Sequence, residues 1–191
     1  MMKLTKNQVN KLKSELRGMY EDRSFPVFDT SKRVDMFNFY PGFINADKKT
    51  YIDYVKVSEI VGDNWAFDKK ENRGRYPSVG KLEDILDYYA GYIKYGKKEL
   101  PPVPLYKVRD MYHLSEGNHR LYTLKYLESR GFVKEPMIKA EICEFNYDDF
   151  LKESSVVKKI DGFYLLHNNK YLEYLEEDEA KRFLELKSQL L

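Results

Sequence analysis

Apolar and polar positions follow two different periods along this chain, and the changes between them mark the elements. Val9, Leu12, Leu16, Met19 and Tyr20 recur at helical spacing and predict a helix over residues 4–22. Thr5 with Gln8 three positions on has the form of a capping box at its start. Leu82, Ile85, Leu86, Tyr89 and Ile93 form a second stripe, for a helix over 80–95 stopped by Gly96. Leu121, Leu124 and Leu127 predict a third helix that runs to Arg130 and ends at Gly131. Between these the period is two. Residues 54–60, 103–108, 111–114 and 138–143 read as strands, with Ile138, Ala140 and Ile142 on one face of the last. Pro101-Pro102 keeps the backbone extended before the second strand, and Arg109-Asp110 turns it back on the third. Near the end, 163–166 and 171–174 flank His167-Asn168-Asn169-Lys170 as a second hairpin. A final helix over 177–190 carries Ala180, Phe183, Leu184 and Leu190 on one side. Its acidic opening, Glu176 to Glu179, suits the positive end of a helix dipole.

Two stretches have no clean period. Residues 24–50, with Pro26, Pro41 and Gly42, read as an irregular, partly buried connection. Residues 62–77 are polar, with Trp65 and Phe67 as anchors to the core and Lys69, Lys70, Arg73 and Arg75 as a solvated basic loop. The expected class is α/β of the α+β kind, a small mixed sheet with flanking helices. Residues 51–145 form the central domain. Residues 1–50 are a helix and irregular extension packed on it, and 146–191 a hairpin and helix extension. Each end alone buries too little apolar surface to be stable.

Composition narrows the classes. Hydrophobic residues make up 42% of the chain, enough for a core and against wholesale disorder. The net charge of +2 lacks the strong basic bias of many nucleic-acid-binding domains, although a local basic patch stays open. Cys143, alone of its kind, excludes an internal disulfide and a cysteine-built metal cluster. No stretch approaches the ~20 apolar residues that cross a bilayer, and the first residues lack the apolar core of a signal peptide. A cytoplasmic protein with no membrane partner is expected. Tyrosine occurs 17 times, which fits half-buried packing better than a dedicated interface.

Ser115-Glu116-Gly117-Asn118-His119-Arg120 carries the candidate chemistry. Gly117 lets the backbone bend and approach a ligand closely. The helix that follows offers unpaired N–H groups and a positive dipole end, where phosphate fits. Cations in a first turn oppose the dipole, at a cost of up to ~1 kcal/mol each unless an anion offsets them. His119 and Arg120 together therefore point to an anion held at residues 117–120, with Arg120 as a planar fork for its oxygens. Glu116 and His119 are the candidates for acid–base catalysis or metal binding. The plainer alternative is that Asn118 caps the helix while His119 and Arg120 face water. His113 reads as packed in its strand, His167 as solvated in its turn, and no spacing marks a metal site.

The order of these motifs resembles the ParB-like nuclease and sulfiredoxin superfamily over residues 51–145, about half the chain. The match rests on the opening strand Val55–Ile60, a helix from Lys81 to Ile93, Pro101–Leu105, the hairpin, and the Gly-Asn-His-Arg loop. Sulfiredoxins carry Gly-Cys-His-Arg at this loop and ParB-like domains Gly-x-x-Arg. The resemblance implies a ParB/sulfiredoxin-like fold and phosphate or nucleotide binding through Gly117, Asn118, His119, Arg120 and Lys81. It implies ATP or CTP with Mg2+ as cofactor. The sharper reading of the basic loop is that Lys69, Lys70, Arg73 and Arg75 form a lip that guides nucleotide or nucleic-acid phosphate toward Gly117. Asn118 stands where sulfiredoxins have their cysteine, so sulfinic-acid repair is not expected. Asp84 and Tyr88 replace the hydroxyl residues that follow the family's lysine. Residues 146–191 are too few for a partition protein's helix-turn-helix and dimerisation modules. Three functions stay open: a nucleotide-dependent phosphotransferase, NTPase or nuclease; a non-catalytic nucleotide-sensing or DNA-backbone-binding module; and a protein-interaction factor using the terminal helices.

Overall fold

The computed structural model describes residues 4–22, 24–26, 36–61, 78–91 and 100–190. Expectations for Trp65, Phe67, Lys69, Lys70, Arg73, Arg75, Ile93 and Gly96 lie outside these residues. Among the described residues there are six α-helices and two sheets, a mixed α+β architecture. Helix α1, Lys6–Glu21, opens with the Thr5–Gln8 capping box and buries Val9, Leu12 and Leu16. The stretch read as irregular contains a short helix α2, Met36–Phe39, and a 3-10 turn, Phe43–Asn45. It also contains the start of strand β1, Lys48–Lys56. That strand begins six residues before the expected position, because Lys48, Lys49 and Thr50 lie exposed on an edge and show no apolar alternation. It also ends early. Residues 57–59 form a 3-10 turn that brings Val57 and Ile60 into the core, and only β2, Ile60–Val61, returns to the sheet.

Helix α3, Val79–Ala90, ends before the expected Gly96. Gly91 takes a left-handed conformation there, and its N–H bonds the carbonyls of Asp87 and Tyr88. Strands β3, Val103–Val108, and β4, Met111–Leu114, form the expected hairpin, with Arg109 at φ 52° in the turn. Helix α4, Asn118–Ser129, and strand β5, Met137–Phe145, follow. The five strands lie in the order β1-β5-β3-β4-β2, with β3 and β5 parallel and β1 antiparallel to β5.

Alternation then assigns two faces to this sheet. Leu105, Leu114, Ala140 and Ile142 face the helices and pack with Leu121 and Leu124 of α4. Behind them α1, α3 and α4 share a second cluster of Leu12, Leu16, Leu82, Leu86, Tyr122, Tyr126 and Leu127. On the opposite face Val108 and Phe145 pack with Phe43 and with the end of the chain.

That last part holds two elements the pattern did not reveal, α5, Tyr147–Glu153, and β6, Ser154–Lys159. The expected hairpin is present as β7, Gly162–His167, and β8, Lys170–Leu175. Asn168 and Asn169 both take positive φ between them, as a two-residue hairpin turn requires. Helix α6, Glu177–Ser188, buries Ala180, Phe183 and Leu186, whereas Leu184 is exposed. His167 is not in open solvent: its ring stacks on Phe150 at 5.1 Å and lies 3.0 Å from the Ser154 hydroxyl. No described helix is long and apolar enough to cross a membrane.

Candidate functional site

The hairpin, the helix before it, α3, and the helix after it, α4, converge on one place. Val103 at the start of β3 packs under the loop that leaves β4. Gly117, at φ 104°, makes the turn into α4, and a Cβ there would lie 3.0 Å from Val103 Cγ1. The turn therefore disfavours a larger residue, by its left-handed backbone first and by the tight approach to Val103 second. The Gly117 carbonyl accepts the amides of Arg120 at 2.9 Å and Leu121 at 3.2 Å. The Asn118 amide, at the head of the helix, has no backbone acceptor among the described residues. Asn118 itself is the first helical residue and not the cap, and Gly117 in the cap position supplies no side chain.

His119 and Arg120 are both half-buried. The amide of Ser78, at the start of α3, donates to His119 Nε2 at 3.3 Å. That bond requires an unprotonated Nε2, so the ring proton sits on Nδ1. Burial, and then the positive charge of Lys81, lower the His119 pKa from its ordinary value, which fits a neutral ring. Arg120 donates from Nη1 to the Pro101 carbonyl. Burial lowers its pKa too, opposed by Tyr89 and Tyr88. Tyr89, pushed up to about 12 chiefly by burial, keeps its phenol neutral beside the guanidinium. Among the described residues no carboxylate lies within ion-pair range of Arg120.

These groups surround an open cavity of about 300 Å³. Lys81, Asp84 and Ile85 come from α3, Gly117, His119 and Arg120 from the loop and α4, and Leu100 with Pro101 from the lead-in to β3. Two helix starts thus meet at one hole. Neither α3 nor α4 has an acid in its first turn, whereas α5 and α6 have two and three. Of the residues singled out in the sequence, Lys81, Gly117, His119 and Arg120 are brought together here. Asn118 stands beside them at the helix start without lining the cavity, and Glu116 is exposed and outside it. Asp84, Ser78 and the Pro101 carbonyl were not foreseen as parts of the site. Asp84 carried a signal, since it lies three positions after Lys81 and so shares its helix face.

A larger cleft of about 440 Å³ lies where β1 and β5 meet the turn after β3. Four of the six charged residues that line it are already paired: Arg109 with Asp148 at 2.6 Å, and Glu144 with Lys49 at 3.1 Å as well as with Lys107 at 3.0 Å. It is therefore the weaker candidate for a charged ligand. No group of three or more metal-ligating side chains occurs among the described residues. Comparison with known protein families, with curated proteins and with solved structures gives no match.

Proposed function

We propose that this chain is a phosphate-binding domain protein of ParB/sulfiredoxin-like character, with a nucleotide or similar phosphorylated molecule as its ligand. The observation that carries this reading is the convergence of Lys81, His119 and Arg120 on one cavity at two helix starts. Each start adds dipole stabilisation for an anion, and among the described residues no carboxylate pairs with Arg120. Phosphate supplies the missing charge. Lys81 would meet it as a point charge, Arg120 through its fork, His119 through Nδ1–H, and the Asn118 amide from the helix head.

The binding role is favoured over the catalytic one by what surrounds the cavity. Glu116, the expected acid–base or metal group, is exposed and does not line it. ATP or CTP with Mg2+ would have Asp84 as the one described carboxylate at the cavity to meet the metal. A hydrolase or phosphotransferase reading draws little from His119, because its basic nitrogen, Nε2, already accepts from the Ser78 amide. DNA-backbone binding would use the same anion contacts.

Arg120→Ala decides the matter. Loss of a charge-assisted contact should weaken phosphate or nucleotide binding by about 1.5–3 kcal/mol in calorimetric titration. The variant should also lose some stability, because Arg120 is half-buried and bonds the Pro101 carbonyl. Equal affinities in both proteins, for every phosphate ligand that binds, would remove the loop as the site. Product analysis after incubation with ATP and Mg2+ separates binding from turnover.

A further inference from the structure

Helix α3 divides its charges between two tasks. Glu83 pairs with Arg17 at 2.5 Å and Asp87 pairs with Lys13, so both tie α3 to α1. Lys81 and Asp84 lie on the other side and line the cavity. They are three positions apart, within reach of an ion pair, yet neither makes one among the described residues. Asp84 is also the one carboxylate that lines this cavity among the described residues. A carboxylate left open beside Lys81, His119 and Arg120 is costly for a bare polyanion. It is useful for a ligand that is anionic at one end and a hydrogen-bond donor at the other.

We propose that the cavity selects a phosphomonoester whose organic part carries hydroxyl or amino donors, and that Asp84 is the specificity-determining residue. This rests on the phosphate-site reading given above. An ionised carboxylate only accepts hydrogen bonds, so Asp84 rewards a sugar hydroxyl or an exocyclic amine. Three helical residues advance about 4.5 Å along α3. A phosphate at Lys81 and Arg120 thus leaves the first donor-bearing carbons of its ester level with Asp84. Ile85, Leu100 and Pro101 give the organic part an apolar wall. The volume, about 300 Å³, is at the low end for small-molecule sites, which suits a sugar phosphate or mononucleotide. A polyphosphate tail would extend negative charge toward Asp84 and offer it no donor.

The test is calorimetric titration of the full chain with ribose 5-phosphate, adenosine 5′-monophosphate, inorganic phosphate and tripolyphosphate, without Mg2+. The monoesters should bind tightest and tripolyphosphate weakest. Asp84→Asn keeps the side-chain size and removes the charge, so the preference for ribose 5-phosphate over tripolyphosphate should fall about tenfold. The exposed position of Asp84 makes this variant safe for folding. Tripolyphosphate binding as tightly as the esters, or an unchanged preference in Asp84→Asn, overturns the selectivity while leaving the phosphate site standing. Binding of none of the probes by wild type, or no weakening by Lys81→Ala and Arg120→Ala, removes the phosphate site and the selectivity together.

Discussion

Gly117 and His119 are two residues apart and constrain the loop in different ways. At Gly117 the constraint is backbone. An alanine would have to hold φ near 104° and press its Cβ against Val103. Gly117→Ala should cost about 1–2 kcal/mol from the left-handed backbone alone, and urea denaturation measures it. Unchanged stability would mean that the loop relaxes to another path. At His119 the constraint is protonation. The folded chain holds this imidazole below its ordinary pKa, so the unfolded chain binds its proton first as pH falls. The stability contributed by neutral His119 is complete above the ordinary value and is lost as pH drops through the folded one. An NMR titration should find the His119 midpoint below about 6.5 in the free protein and higher once phosphate is bound. A midpoint that does not move with phosphate would separate the ring from the anion. The sequence placed His119 and Arg120 in a helix's first turn correctly. It did not disclose that the ring accepts from Ser78, because that partner stands 41 positions away.

At the scale of elements, legibility followed length and exposure. Helices α1, α3 and α4 are long enough for several turns of a one-sided stripe, and Leu82, Leu86, Leu121 and Leu127 showed it. Helix α5 has only seven residues and buries Tyr147, Phe150 and Leu151, too few repeats to establish a period. Strand β6 reads Ser-Ser-Val-Val-Lys-Lys and is mostly exposed, so no alternation betrays it. The boundary between these two elements depends on a residue far along the chain. Lys187 of α6 donates from Nζ to the carbonyls of Leu151 at 2.8 Å, Lys152 at 3.1 Å and Ser154. It thereby satisfies carbonyls at the end of α5 that the short helix leaves open. Lys187→Met keeps the aliphatic stem and removes the donor, and should destabilise the chain by about 1.5–3 kcal/mol. Thermal denaturation monitored by circular dichroism checks it, and a neutral result would show that water replaces the ammonium.

At the scale of the whole molecule, one end of the chain shares a cluster with helices α3 and α4, and the other shares one with the central sheet. Leu12 and Leu16 of α1 pack among Leu82, Tyr122 and Tyr126, while Phe150 and Phe183 belong to the same cluster as Val108 and Phe145. The Tyr126 hydroxyl also donates to Glu15 at 2.9 Å. Unfolding in urea should therefore be a single transition, coincident by circular dichroism and tyrosine fluorescence. Two separated transitions would show that one end folds by itself. Among the described residues, strand β1 pairs with β5 along one edge only, and most of its nine residues are exposed, Ile52 and Tyr54 among them. Such a row of free amides and carbonyls is an invitation to another strand. Lysines stand at both of its ends, Lys48 and Lys49 at one and Lys56 at the other. If two copies met antiparallel about Ile52, Lys48 would face Lys56 twice over. The most adhesive stretch of this sheet thus carries its own repulsion against a second copy of itself, and salt, by screening it, loosens that guard.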